Sequence, residues 1–114
     1  MKSGEYIPER GDIVWLNFNP QAGHEQKGKR PALVLSPKIY NQKTSLCVAL
    51  PITSKIKGYP FEVPLPSGIG IAGVILSDQI KSLDFRKREA VFISKVPDNV
   101  IKEVQSNVVA LVSG

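Results

Sequence analysis

The chain has 114 residues, one cysteine, one histidine and a formal net charge of +5, with 42% hydrophobic and 22% charged residues. Such a composition excludes an intramolecular disulfide and a zinc site of several Cys and His ligands, and no apolar run approaches the ~20 residues of a membrane span. The length suits one domain over residues 1–114 with a core that buries roughly 60–70% of the unfolded surface.

The opening Met1-Lys-Ser-Gly-Glu-Tyr-Ile-Pro8 lacks the apolar core of a signal peptide, and with the lone thiol it points to the cytoplasm. Residues 1–9 read as an arm, and Arg10-Gly-Asp12 as a turn. Asp12–Phe18 is a strand with apolar residues on both faces, so it should be central and covered. Trp15 and Phe18 are placed in the core. Asn19-Pro20 ends the strand, and a polar loop over 21–29 carries His24, Glu25, Lys27 and Lys29. Pro31 disfavours helical backbone at Arg30 and starts a second strand, Arg30–Ser36. Arg30 thus stands where a loop meets a rigid scaffold, a position that suits a functional group.

Ser36-Pro37 breaks the strand, and Lys38–Lys43 reads as a polar turn holding Tyr40 and Asn41. Ser45–Pro51 is an apolar third strand, with Cys47 as a buried small hydrophobe. Thr53 follows at its end, beside the basic loop Ser54–Pro60. Phe61–Leu65, hemmed by prolines, is an edge strand. After a glycine-rich turn, Gly73–Ser77 is a strand running into Asp78-Gln79, a pair that could satisfy local backbone or read a base edge. Ser82–Lys87 is a connector and Arg88–Ser94 a last strand. Asp98 is a candidate N-cap for a helix whose Ile101, Val104, Val108 and Leu111 share one face. Five to six short antiparallel strands and a C-terminal helix imply a mainly β, partly closed barrel with the helix packed against it.

Charge is distributed unevenly. Between His24 and Lys57 there are seven cations and one anion, +6, which leaves −1 for the rest of a chain totalling +5. A localised positive field is the footprint of a polyanion, usually nucleic acid. Tyr40 and Tyr59, in polar segments, could stack on unpaired bases.

Several segments together resemble the MazF-type (MazF/PemK) toxins of bacterial toxin–antitoxin systems. They are Gly11-Asp-Ile-Val-Trp-Leu-Asn-Phe-Asn-Pro20, Gly23-His-Glu-Gln-Lys-Gly-Lys-Arg-Pro-Ala-Leu-Val-Leu-Ser-Pro37, Tyr40-Asn41, Pro51-Ile-Thr53, Lys57-Gly-Tyr-Pro-Phe61 and Ser77-Asp-Gln-Ile-Lys-Ser82. The resemblance implies an SH3-like barrel, a homodimer, and an endoribonuclease that cuts single-stranded mRNA at short motifs and so inhibits translation and growth. It also implies an antitoxin whose acidic, disordered tail blocks the site. By the same resemblance Arg30, Thr53 and Glu25 are the catalytic residues. Some relatives carry a histidine directly before the arginine, where this chain has Lys29, so His24 inherits no role.

With few metal ligands and no nucleotide-type phosphate loop, no metal or cofactor is expected, and the chemistry falls to side chains alone. The neighbouring 2′-hydroxyl would attack phosphorus and expel the 5′-oxygen, leaving 2′,3′-cyclic phosphate and 5′-hydroxyl ends. Arg30 suits the developing negative charge and Thr53 can donate to the same oxygens. The base is Glu25 or His24. Histidine titrates nearer neutrality, while the resemblance favours Glu25. Lys27, Lys29, Lys55 and Lys57 would hold flanking phosphates, with Gln79, Tyr40 and Asn41 as further RNA contacts. The alternative is a toxin of the same fold that poisons a protein such as DNA gyrase without catalysis.

Overall fold

A computed structural model describes residues 5–18 and 28–114. Its elements are β1 (Asp12–Asn17), β2 (Lys29–Val34), α1 (Lys38–Thr44), β3 (Leu46–Thr53), β4 (Glu62–Pro64), β5 (Val74–Leu76), β6 (Lys81–Asp84), β7 (Val91–Lys95) and α2 (Asp98–Ser113). All pairings are antiparallel, in the order β4-β5-β3-β2-β1-β7, with β6 also on β3.

The eight-residue β3 is the shared strand. Leu46–Ala49 pair with β6, Ala49–Pro51 with β2, and Ile52–Thr53 with β5. Because side chains alternate across a strand, neighbours in β1 and β2 enter different cores. Val14, Leu16, Ala32 and Val34 join Cys47, Leu83 and Phe85 in one core. Ile13 and Leu33 join Leu50, Ile52, Val63 and Ile75 in the other, under Val100 and Val104 of α2. The central strands are therefore buried on both faces, as their sequence implies. No helix among the described residues is long and apolar enough to cross a membrane.

The mainly β architecture with a C-terminal helix is present, with seven strands among the described residues. The sheet is not closed, since β4 and β7 end the order without pairing. α2 packs beside Val63 of β4 and Val96 beyond β7, covering the face that closure would have enclosed.

Four local readings change. The expected turn over 38–43 is helix α1, entered from extended Pro37 and ended by Ser45 at φ 63°. Its one buried residue is Asn41. The Asn41 amide donates to Pro8 O at 2.8 Å and Ser36 O at 3.1 Å, and accepts from Ser36 Oγ at 2.5 Å. A helix whose inward position is polar leaves no apolar periodicity to read. The expected connector contains β6, whose Leu83 sits opposite Cys47. Pro97, not Asp98, occupies the N-cap of α2, and no side chain caps it. Trp15 is 40% exposed and not core.

The Cys47 thiol is pushed up to about 11, first by burial and then by the Asp84 carboxylate. Burial likewise raises the Tyr6 phenol, which donates to Asp12 Oδ2 at 2.6 Å. The native thiol should resist alkylation at pH 8 and react fully in denaturant. Because the unfolded thiol ionises near ~8.5, the folded state alone keeps its proton between that pH and about 11. Stability contributed by the neutral thiol is whole below pH ~8.5 and should fall as pH rises through this window, read from denaturant midpoints.

Candidate active site

The site lies where β2 begins and β3 ends. In the β2–β3 register Leu33 faces Leu50 and Ala32 faces Pro51. Carried two positions further, the same register aligns Arg30 with Thr53. Both side chains line one cleft of about 590 Å³. β1 supplies its wall through Trp15, opposite Pro31, and through Phe18, while Lys55, Gln79 and Lys81 complete the polar rim.

Each functional group is set by local structure. Arg30 is exposed at the start of β2, cross-strand from Leu16. Thr53 is half-buried, and its Oγ1 accepts the Lys55 N–H at 3.1 Å. This is the hydroxyl turn expected of a strand-end threonine, and it leaves the hydroxyl proton for donation outward. Behind Thr53 stands Gly73, at φ +132°, where a Cβ would lie 2.4 Å from Thr53 O. The backbone carrying Thr53 is thus packed directly against the backbone that leads into β5, which only glycine permits.

The chain leading out of β1 is fixed at its base. Phe18 N donates to Gly28 O at 2.9 Å, and Asn17 N to Arg88 O at 2.8 Å. The Arg88 Nη1 returns hydrogen bonds to Asn17 O and Phe18 O at 3.2 and 3.0 Å. Glu25, His24 and Lys27 lie outside the described residues.

The other candidates are spread unequally. Lys55 and Gln79 line the cleft with Arg30 and Thr53. Lys29 sits beside Arg30, opposite Asn17, and Lys57 is exposed two residues beyond Lys55. Tyr40 and Asn41 are on α1, away from the cleft lining. Asn41 is fully buried with its amide satisfied inside the fold, so its assignment as an RNA contact is corrected to a structural one. Tyr59 donates to Asp78 Oδ1 at 3.2 Å, and its phenol is raised by desolvation and then by that bond. Sequence reasoning missed Lys81, which reaches the cleft from β6, and the surface role of Trp15. The cation Lys81 directly follows the quoted Asp78-Gln79-Ile80, the one signal that could have flagged it. Among the described residues no group of three His, Cys, Asp or Glu side chains could hold a metal ion.

Fold and cleft together define a small antiparallel-β protein with arginine, lysine and hydroxyl donors converging beside exposed aromatic surface, the equipment for gripping a phosphodiester. The chain belongs to the PemK-like, MazF-like toxins of type II toxin–antitoxin systems, whose family model matches residues 9–112. It is 44% identical over 107 residues to the endoribonuclease toxin MazF of Escherichia coli K12, covering 94% of this chain and 96% of that one. The crystal structure of MazF from Deinococcus radiodurans superposes with a TM-score of 0.87 at 52% identity, covering 96% of this chain and all of the other. A MazE–MazF crystal structure from the same organism matches with a TM-score of 0.86 at 46% identity, covering 96% and 98%.

Gly73→Ala should be destabilising, because the new Cβ meets Thr53 O and the backbone sits where side chains are strained. A loss of about 1–3 kcal/mol is expected from the denaturant midpoint. An unchanged midpoint would mean that β5 can retreat from Thr53 without cost.

Proposed function

We propose that this chain is an endoribonuclease toxin that cleaves single-stranded mRNA without metal and is neutralised by an acidic antitoxin. The observation that carries the reading is the convergence of Arg30 and Thr53, from two strands, in one cleft with Lys55 and Lys81. Membership of the toxin family and the endoribonuclease names of its relatives support it.

In the proposed reaction the 2′-oxygen forms a bond to phosphorus as the bond to the 5′-oxygen breaks. The 2′-hydroxyl proton goes to a base, assigned to Glu25 rather than to its neighbour His24, and the departing 5′-oxygen takes up a proton. The phosphoryl oxygens gain negative charge on the way. Arg30 would hold that charge through its planar fork, and Thr53 would add its hydroxyl proton. That fork matches phosphoryl oxygens in two places at once, so electrostatic stabilisation is the arginine's first role. Lys27, Lys29, Lys55, Lys57 and Lys81 would hold flanking phosphates. Trp15 and Phe18 offer stacking surface, and Gln79, on the rim, is placed to read a base edge.

RNA incubated in EDTA should give discrete fragments with 2′,3′-cyclic phosphate and 5′-hydroxyl ends, and a fully 2′-deoxy substrate should stay intact. Arg30→Ala should lower the single-turnover rate ~10²–10³-fold. Glu25→Gln should slow it ~10²-fold or more. Fragments with 5′-phosphate ends, or intact RNA alongside a poisoned protein such as DNA gyrase, would overturn the reading.

The toxin would act as a cytoplasmic homodimer. Support comes from α2, where Val109 and Val112, one turn apart, are 59% and 72% exposed. Apolar side chains clustered on one helix face are the usual mark of a covered surface. Light scattering should report twice the 12.5 kDa chain mass. Val109→Lys should shift the species toward monomer, and a monomeric parent protein would remove the dimer from the proposal.

A further inference from the structure

The loop after Thr53 carries two of the cations assigned to RNA, yet it has no apolar anchor. Its hydrophobic residue, Ile56, is 65% exposed. Between the Thr53 Oγ1–Lys55 N–H bond at its start and the Tyr59–Asp78 bond at its end, its middle is shaped by one carboxylate. Glu62 Oε2 accepts the Lys57 N–H at 2.9 Å and Oε1 accepts the Gly58 N–H at 2.8 Å. The Glu62 backbone N–H closes the same turn on Tyr59 O at 3.1 Å. Glu62 is itself fixed on β4, opposite Leu76 of β5, and Leu76 lines the cleft. At φ +85° Gly58 supplies the backbone that the turn needs.

A carboxylate is the wrong sign for a groove that takes a polyanion. By field alone, Glu62 opposes the substrate. Its two oxygens are engaged by backbone N–H groups of the cationic loop itself, the arrangement that trades some repulsion for a fixed loop.

We propose that Glu62 is a positioning residue for RNA binding, whose carboxylate holds the Lys55–Lys57 loop in the shape that sets both ammonium groups against substrate phosphates. The inference rests on the reading of Lys55 and Lys57 as phosphate-holding groups. It requires both oxygens as acceptors, so an amide, which keeps one, serves only in part.

The two roles of Glu62 predict opposite signs. Loss of an anion near the groove tightens RNA binding through the field, whereas loss of the clamp weakens it. The test compares Glu62→Ala, Glu62→Gln, the pair Lys55→Ala/Lys57→Ala, and the triple variant, all as full chains with melting curves. The probe is a mixed-sequence 2′-O-methyl RNA, which lacks the attacking hydroxyl. Glu62→Ala should raise Kd roughly two- to fivefold. Its salt slope should flatten by about 0.7–1.4, the value of one or two phosphate contacts on a single strand. Glu62→Gln should fall between it and the parent. On cleavable RNA the loss should fall on KM more than on kcat. In the triple variant the Glu62 change should cost nothing further, because it acts through the two lysines.

Tighter or unchanged binding in Glu62→Ala, or a loss that adds fully to that of the lysine pair, would overturn the clamp. Parent-like binding by the lysine pair would instead remove the reading of Lys55 and Lys57, and the inference with it.

Discussion

The site depends on the sharing of β3 among three partners. One side of the strand is committed to β2 through Ala49–Pro51, and its last residues, Ile52 and Thr53, to β5. The first contact fixes the register that aligns Arg30 with Thr53. The second brings Gly73 against the Thr53 carbonyl. A residue at a strand end is normally the first to fray. Here the end is held by a strand on one flank and by backbone-to-backbone packing behind it, so the hydroxyl is delivered from rigid structure although it borders a loop.

Two segments beside the cleft are held by hydrogen bonds from charged side chains to the main chain. Arg88 holds the two carbonyls at the end of β1, and Glu62 holds the turn after β3. Charge around the cleft therefore has two occupations. Arg30, Lys55 and Lys81 face the cleft, whereas Arg88 and Glu62 spend their donors and acceptors on the main chain. Formal charge maps treat both kinds alike, and only geometry separates them.

Much of this was legible in the sequence because it is local. The apolar runs of β1, β2 and β3, the proline-bounded edge strand β4 and the amphipathic α2 follow from short-range patterns. The Arg30-Pro31 junction and the strand-end position of Thr53 are also local, which is why both could be singled out. Trp15 was misplaced because the run of four apolar residues Ile13–Leu16 looks uniformly buried. Its exposure is set by what covers the sheet, which no window on β1 contains. Helix α1 was missed because its only inward side chain is an amide. Lys81, Glu62 and Arg88 owe their roles to partners on other strands or loops, and composition carries no trace of those meetings.

The buried node around Asn41 has a bearing on assembly. Ser36 Oγ donates to Asn41 and also accepts the Val48 N–H at 2.8 Å, so one small cluster joins the chain before β1, the end of β2, α1 and β3. A slip of β2 against β3 by a single residue would turn the apolar rows to the wrong faces. It would also strand this cluster, at about 1–3 kcal/mol for each buried group left without a partner. Apolar side chains tolerate approximate matches, but hydrogen bonds of 2.5–3.1 Å do not. The node thus works as an error check on strand pairing, built at the opposite end of the β2–β3 ladder from the cleft. Through it, a handful of uncharged side-chain and backbone groups outside the cleft guard the alignment of an arginine with a threonine.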